Sequence, residues 1–199
     1  LLDLFCRAGG AAMGYHRAGF DVIGIDIESQ PNYPFPFIRT DALGPLAIML
    51  MAEVDAVHAS PPCQRYSNLA RRNGNAEAWP DLVEPTRQVL VESGKPYIIE
   101  NVVGAPLVDP VMLCGQDFAG LRVYRHRLFE SSRRLEAPEH QKHRALCFTH
   151  DKRKPHYGRL DEMTAFVMVN GGGNCSKRAA PIKSANFARV LLWVKFVRK

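Results

Sequence analysis

Short apolar segments alternate with amphipathic ones along the first two thirds of the chain. Residues 1–5 are apolar apart from Asp3, and residues 22–27 are rich in β-branched side chains. Between them, residues 11–18 contain helix formers and end at Gly19, a residue type that often follows a helix. The pattern predicts a buried strand, a glycine turn, a helix and a second strand, which together form one βαβ unit.

The same alternation continues further along the chain. It predicts strands over residues 54–58, 97–100 and 128–131, with helices over residues 43–52 and 82–93. Strands that alternate with helices favour an α/β fold with a mostly parallel sheet covered by helices on both faces. After residue 132 the periodicity weakens, and His, Arg and Lys crowd an irregular stretch.

Composition narrows the class of protein. The 199 residues are 46% hydrophobic, which is enough for one full core, and no run approaches the roughly 18 apolar residues of a membrane span. An odd number of scattered cysteines does not suggest a disulfide framework. We therefore predict a soluble cytoplasmic protein with no membrane contact, and the net charge of +6 favours a polyanionic partner.

The glycine turn predicts a ligand site, because doubly wound sheets bind ligands beyond the carboxyl ends of their strands. Gly9, Gly10 and Gly14 follow the first strand, and Asp26 ends the second, where an acidic side chain can take ribose hydroxyls. The spacing matches neither the dinucleotide motif nor a P-loop, so an adenosine without phosphates fits better. The alternative is that the glycines only form a tight turn.

Four candidate reacting groups lie near the ends of later strands. Cys63 follows two prolines after the third strand, Glu100 ends the fourth, and Arg125 and Arg127 precede the fifth. Each has a simpler explanation alone, since cysteines usually fill cores and charged residues usually face solvent. Their shared placement predicts that a thiol, a carboxyl group and two guanidinium groups converge above the sheet.

Four motifs, "DLFCRAGG", "SPPCQ", "IIENV" and "RHRLFE", occur in that order. With them the chain resembles the DNA cytosine-5 methyltransferases, and its compact spacing is similar to that of short phage-type members. The resemblance covers residues 1–131 and implies a Rossmann-like methyltransferase sheet as the catalytic core. Residues 132–165 would then be a small, irregular target-recognition region, and residues 166–199 a segment that returns to the core.

The resemblance also implies a mechanism. Cys63 would add to C6 of cytosine as a thiolate, held in attack geometry by the two preceding prolines. Glu100, as a protonated carboxyl group, would donate to N3, while Arg125 and Arg127 would hold O2 and favour the thiolate. Double-stranded DNA is the implied partner, with its target base flipped out and its backbone held by the basic second half of the chain.

S-adenosylmethionine is the implied cofactor. Family positions assign its contacts to Phe5, Gly9, Gly10, Asp26, Ile27, Asp41, Ala42 and Pro62. The expected setting is the cytoplasm of a bacterium or of a phage-infected host cell, and a monomer is favoured.

Two features depart from the family pattern. Arg7 replaces the family's first loop glycine, which requires a backbone conformation that a residue with Cβ tolerates. The C-terminal segment also differs from the family's closing motif, so residues 186–197 are expected to pack as a terminal helix or edge strand, or across a dimer contact. These departures keep a catalytically weak nucleic-acid-binding relic open as an alternative. An RNA cytosine-5 methyltransferase of the same fold is a second alternative, because one RNA-modifying branch of the family shares these motifs.

A second group of side chains could in principle bind a metal ion. His140, His143, Cys147 and His150 have spacings that metal ligands could use, with Cys114 as a more distant candidate. Zinc sites usually present tighter pairs such as Cys-x-x-Cys, and histidines near arginines also suit phosphate contact. The preferred interpretation is a solvated basic loop, and no metal is predicted.

Overall fold

A computed structural model describes residues 1–118, 121, 123–143, 147–148 and 166–168. The strands are β1 (Leu2–Leu4), β2 (Ile23–Asp26), β3 (Phe37–Arg39), β4 (Val57–Ala59), β5 (Tyr97–Asn101), β6 (Val111–Cys114), β7 (Val123–Tyr124), β8 (His126–Ser131), β9 (Cys147–Phe148) and β10 (Phe166–Met168). The α-helices are α1 (Gly10–Arg17), α2 (Pro45–Ala52), α3 (Asn68–Arg72) and α4 (Val83–Glu92), and 3-10 turns cover Gln64–Tyr66, Ala76–Ala78 and Gly115–Asp117.

Seven strands form one mixed sheet in the order β3-β2-β1-β4-β5-β8-β6. The first five are parallel to one another, whereas β8 runs antiparallel to both β5 and β6. A second, three-stranded sheet has the order β7-β10-β9. The structure therefore confirms an α/β fold with a mostly parallel sheet, and β8 is the antiparallel exception.

Side chains that alternate along the strands give the sheet two apolar faces. Leu2 and Leu4 of β1 pack with Ala47 and Met51 of α2 and with Leu90 of α4. On the other face, Ile98 packs in a cluster with Ala12 and Tyr15 of α1. Because successive strand side chains point to opposite faces, this arrangement confirms the prediction that helices cover both faces of the sheet.

The predicted third strand, residues 54–58, is shifted in the structure. Helix α2 is capped at Glu53, the next residues form a bend, and β4 spans Val57–Ala59. Five short strands, β3, β6, β7, β9 and β10, and the single-turn helix α3 were not predicted, because two to five residues are too few to show a clear period. No helix in the described part of the chain is long and apolar enough to cross a membrane.

The three-part division at residues 131 and 165 stays a prediction. The predicted recognition region is described only at residues 132–143 and 147–148, and the C-terminal segment only at residues 166–168. The predicted packing of residues 186–197 lies outside the described residues.

A buried ion pair attaches β8 to helix α4. The Arg87 guanidinium donates from Nε to Glu130 Oε1 at 2.7 Å and from Nη2 to Glu130 Oε2 at 2.8 Å. The amide of Val108 also donates to Glu130 Oε2 at 2.8 Å, and Arg87 Nη2 donates to the carbonyl of Pro106 at 2.7 Å. This bidentate, fully hydrogen-bonded arrangement fixes the antiparallel strand whose other end carries the two candidate arginines.

Candidate active site

A cavity of about 350 Å³ opens beyond the carboxyl ends of β1, β4 and β5, against β6 and the start of β8. It is bordered by seven of the predicted site residues: Phe5, Gly10, Pro62, Cys63, Glu100, Arg125 and Arg127. The cavity therefore brings together all four predicted reacting groups and part of the predicted cofactor site.

The end of β5 is hydrogen-bonded to the loop that carries Cys63. The buried Asn101 side chain donates from Nδ2 to the carbonyl of Pro61 at 2.9 Å, and its Oδ1 accepts from the amide of Val102 at 2.8 Å. Cys63 then begins a 3-10 turn, because its carbonyl accepts from the amide of Tyr66 at 3.1 Å. The prolines and Asn101 together fix the thiol, a role for Asn101 that sequence reasoning missed.

Glu100 and Arg127 form an ion pair on the wall of the cavity. Arg127 Nε lies 2.6 Å from Glu100 Oε1, and both side chains are mostly buried. Burial lowers the pKa of Arg125, and the neighbouring Arg127 lowers it further, while Glu100 and Cys63 act in the opposite direction. Arg125 thus lies close enough to the thiol and the carboxyl group for both to act on its guanidinium.

Gly9 occupies a position that other residues cannot take. Its φ is 79°, and a Cβ atom there would lie 2.8 Å from Pro34 Cδ. Both the left-handed backbone and the close approach therefore require glycine. Arg7, two residues earlier, also has a positive φ, of 48°, so the loop keeps its left-handed turn although the family's glycine is absent.

Four predicted cofactor residues follow β2 and β3, outside the lining of the cavity. The Asp26 carboxylate accepts from the amides of Arg7 at 3.1 Å and Glu28 at 3.0 Å. Ile27 is 66% exposed, Ala42 is buried, and Asp41 Oδ1 accepts from an amide two residues on. Their cofactor roles stay predictions, and the exposed apolar side chain of Ile27 suits contact with a flat ring.

Asp3 is a cavity residue to which the sequence analysis assigned no role. It is only 1% exposed, and burial raises its pKa to about 8 although the Tyr33 hydroxyl donates to its Oδ2 at 3.4 Å. The nearby amide of Ala12 also favours the carboxylate. Even so, Oδ1 is buried and makes no hydrogen bond of good geometry to any described residue. The available signal was a single acidic residue within an apolar strand.

His58 was also missed, although it interrupts an apolar strand in the same way. Its Nδ1 lies 2.9 Å from the Tyr15 hydroxyl and its Nε2 lies 2.8 Å from Ser60 Oγ, beside the cavity. Burial lowers the pKa of His58 to about 4, so the ring is neutral at pH 7. The hydrogen bonds from Tyr15 through His58 to Ser60 hold His58 and Ser60 in place where they line the cavity, between β1 and β5.

Comparison with known proteins places the chain in a family. The model of the C-5 cytosine-specific DNA methylases matches residues 1–106, more than half of the chain. The chain belongs to this family. The match confirms the resemblance seen in the motifs; Cys63 and Glu100 lie within it, whereas Arg125 and Arg127 lie beyond its end.

Individual relatives of this methylase-family chain are longer. It is 32% identical over 119 residues to the Type II methyltransferase M.AgeI of Thalassovita gelatinovora, covering 52% of this chain and 28% of that protein. It is 31% identical over 121 residues to M.AquIA of a Picosynechococcus species, covering 52% of this chain and 48% of that protein. The chain thus spans about half or less of these curated relatives. A solved Dnmt2 methyltransferase from S. pombe has a TM-score of 0.45 and 18% identity, covering 65% of this chain and 48% of that one.

Proposed function

We propose that this methylase-family chain transfers a methyl group from S-adenosylmethionine to C5 of a cytosine in DNA, through a covalent adduct on Cys63. The observation that carries the proposal is the convergence of Cys63, Glu100, Arg125 and Arg127 on one cavity beyond the strand ends. A nucleophile, a carboxyl group and two cations are the groups that addition to a pyrimidine ring requires.

The residues would act in a defined order. The Cys63 thiolate, stabilised by the nearby Arg125 guanidinium, forms a bond to C6, and the electron pair displaced from the ring makes C5 nucleophilic. Glu100 supports the charge that develops at N3, with its position fixed by Arg127. After methylation of C5, a base removes the C5 proton, the C6–S bond breaks, and the electron pair returns to Cys63 as a thiolate.

The cavity fits a cationic methyl donor. S-adenosylmethionine supplies the methyl group when bound, and it carries a positive sulfonium and a positive ammonium group. Asp3 offers a buried carboxyl oxygen without a hydrogen-bond partner among the described residues, in the same cavity as Phe5 and Gly10. Buried charge is stable only when it is paired, so Asp3 would hold one of the positive groups, with Asp26 on the ribose as the family resemblance implies.

Duplex DNA is the proposed substrate, as the family resemblance implies, and its target base would leave the stack to enter the cavity. Exposed Arg71 and Arg72 on α3, close in the chain to Cys63, can contact phosphates beside the flipped nucleotide. We propose that the chain acts as a monomer on one strand at a time.

The test is covalent trapping on duplex DNA that contains 5-fluorocytosine, which blocks loss of the C5 substituent and so retains the enzyme. The native chain with S-adenosylmethionine should give a denaturant-stable adduct, and Cys63→Ser should give none. Cys175→Ser, outside the family-matched region, is the matched cysteine control and should trap normally. An adduct that survives Cys63→Ser would overturn the assignment of the nucleophile.

The substrate class is tested by offering duplex DNA and transfer RNA side by side with a labelled methyl donor. Labelling of DNA supports the proposal, and labelling of RNA alone would replace it with the RNA-modifying alternative. Binding of DNA without transfer to either substrate would identify a catalytically weak relic.

A further inference from the structure

A second group of side chains lies beside the candidate arginines at the start of β8. Arg125 and Arg127 line the cavity, and His126, between them, does not line it, whereas Cys114 does. Cys114 of β6 lies directly opposite His126 in the antiparallel pairing of β6 with β8. His140 and His143, beyond the end of β8, complete a group whose four ligand atoms all lie within 4.8 Å of one another.

The shortest distances in this group are those of a tetrahedral coordination shell. His126 Nε2 lies 3.2 Å from His140 Nε2, and Cys114 Sγ lies 3.5 Å from His143 Nε2. With zinc–nitrogen bonds near 2.0–2.1 Å and a zinc–sulfur bond near 2.3 Å, a tetrahedron has edges of about 3.3 Å between nitrogens and about 3.6 Å from sulfur to nitrogen. A hydrogen bond explains either pair separately, and a shared central ion accounts for both pairs at once.

The surroundings of the group are those that a metal site needs. Asp117 Oδ1 is buried 3.6 Å from His140 Nδ1, the ring nitrogen that faces away from the other ligands. That nitrogen is buried and makes no hydrogen bond of good geometry within the described part of the chain. A carboxylate behind a metal-bound imidazole fixes its tautomer and its orientation.

Two further contacts orient the remaining ligands. The backbone amide of Asp117 donates to the Cys114 side chain, and Asp117 Oδ2 accepts from the Cys114 amide at 2.7 Å, so the sulfur is held at the start of the 3-10 turn. The Tyr124 ring stacks on His143 with 3.8 Å between centroids and 11° between planes. Cys114 and His143 are therefore positioned by contacts that leave their ligand atoms facing the centre of the group.

We propose that Cys114, His126, His140 and His143 form a structural zinc site. Thiolate and imidazole are the ligands that zinc prefers, and four protein ligands close the shell, as in structural rather than catalytic sites. The ion would tie the segment around His140 and His143 to the strand that presents Arg125 and Arg127 to the cavity. This proposal does not depend on the proposed function, because a structural zinc site would stabilise the fold whatever reaction takes place in the cavity.

The site replaces the interpretation of this region as a solvated basic loop. It retains His140, His143 and the more distant candidate Cys114 from the sequence analysis and adds His126, which the pairing of β6 with β8 places opposite Cys114. The side chain of Cys147 and the whole of His150 lie outside what the structure describes.

Metal content of the full chain tests the proposal. After expression with added zinc and removal of loosely bound ions, mass spectrometry of the metal should find about one zinc per chain. Cys114→Ser and His140→Gln should each lose most of it. Cys63→Ser and His16→Gln are the matched controls outside the group and should retain full zinc content. Full zinc content in Cys114→Ser, or no zinc in the native chain, would overturn the site.

A second measurement uses the native chain alone, in case the ligand variants do not fold. Cobalt exchanged for zinc should give the absorption of a tetrahedral ion with a thiolate-to-cobalt charge-transfer band. Alkylation followed by peptide mapping should show Cys114 protected in the zinc form and modified after chelation, whereas Cys63 reacts in both. Equal alkylation of Cys114 in both forms, or a cobalt spectrum without the thiolate band, would contradict the proposal.

Discussion

Two buried carboxyl groups in this molecule have opposite surroundings. Glu130 on β8 is 3% exposed and receives two hydrogen bonds from Arg87 and one from the Val108 amide. Asp3 on β1 is 1% exposed, receives a long hydrogen bond from Tyr33 and lies near the Ala12 amide, and its second oxygen makes no hydrogen bond of good geometry to a described residue. The first lies in the packed junction between sheet and helix, and the second lines the cavity of the candidate active site.

The contrast indicates a role in stability for Glu130 and a role in ligand binding for Asp3. A buried carboxylate with a full set of donors stabilises the fold only in its charged form, so removal of one partner is costly. A buried carboxyl group without partners is kept neutral by desolvation, and here burial raises the pKa of Asp3 to about 8. A cationic ligand would supply the missing charge, so Asp3 should matter for binding and Glu130 for stability.

Glu130→Gln gives the largest expected effect on the free energy of unfolding. The substitution keeps the shape of the side chain but leaves the mostly buried Arg87 guanidinium with only the exposed Glu84 as a counter-charge, which should cost about 1.5–3 kcal/mol. Urea unfolding followed by circular dichroism measures the loss. Glu28→Gln, which breaks the exposed ion pair of Glu28 with Arg7, is the control and should change stability by less than about 1 kcal/mol. Equal losses in both variants would contradict the comparison.

Asp3→Asn should produce the complementary result. Loss of a charge-assisted contact with the cofactor should weaken S-adenosylmethionine binding by about 10- to 150-fold, corresponding to about 1.5–3 kcal/mol, without loss of fold stability. Calorimetry at pH 7 measures the affinity, and urea unfolding of the same variant measures the stability.

The pH dependence of binding sharpens this test. Below a pKa of about 8 the free carboxyl group of Asp3 is protonated, so a cation must displace the proton. Affinity in the native chain should therefore rise as the pH approaches 8, and Asp3→Asn should remove that rise. Binding that stays as tight in Asp3→Asn as in the native chain would show that Asp3 does not face the methyl donor.

Local sequence could predict the strands and loops that carry Cys63 and Glu100. Glu100 lies near the end of β5 and Cys63 lies in the loop after β4, and strand–helix alternation alone brings the carboxyl ends of such parallel strands together. The prolines before Cys63 also signal a rigid loop from local chemistry.

Long-range pairing explains what the sequence did not predict. Arg87 and Glu130 are 43 residues apart, and nothing in either segment specifies the other as its partner. The pairing of Cys114 with His126 depends on a reversal of β8 that local periodicity does not encode. Asp3 and His58 were visible as polar residues in apolar strands, but their roles follow from the cavity that several elements form together.

His58 should make stability depend on acid pH. Its pKa is about 4 in the folded chain and about 6.5 in an unfolded one, so the unfolded state binds more protons between these values and stability falls as the pH falls. The contribution lost between pH 7 and pH 5 is about 2 kcal/mol. Since Asp3 has a raised pKa and acts in the opposite direction, the quantity to measure is the difference in unfolding free energy between the native chain and His58→Asn. A difference that is the same at both pH values would mean that the fold does not lower the pKa of His58.

The smallest expected effect concerns Arg7, where this chain departs from the family's glycine. Its left-handed backbone, with a φ of 48°, costs about 1–2 kcal/mol of stability in a residue with Cβ. Its ion pair with Glu28 joins two exposed side chains and contributes at most about 1 kcal/mol of stability. Arg7→Gly removes both the strain and the ion pair and also increases the entropy of the unfolded chain. The net change should therefore be a gain or loss of less than about 1 kcal/mol. Arg7→Ala keeps the strain and loses the ion pair, so it should be less stable than Arg7→Gly in thermal unfolding. The reverse order would show that the guanidinium group, rather than the backbone, determines the stability of this loop.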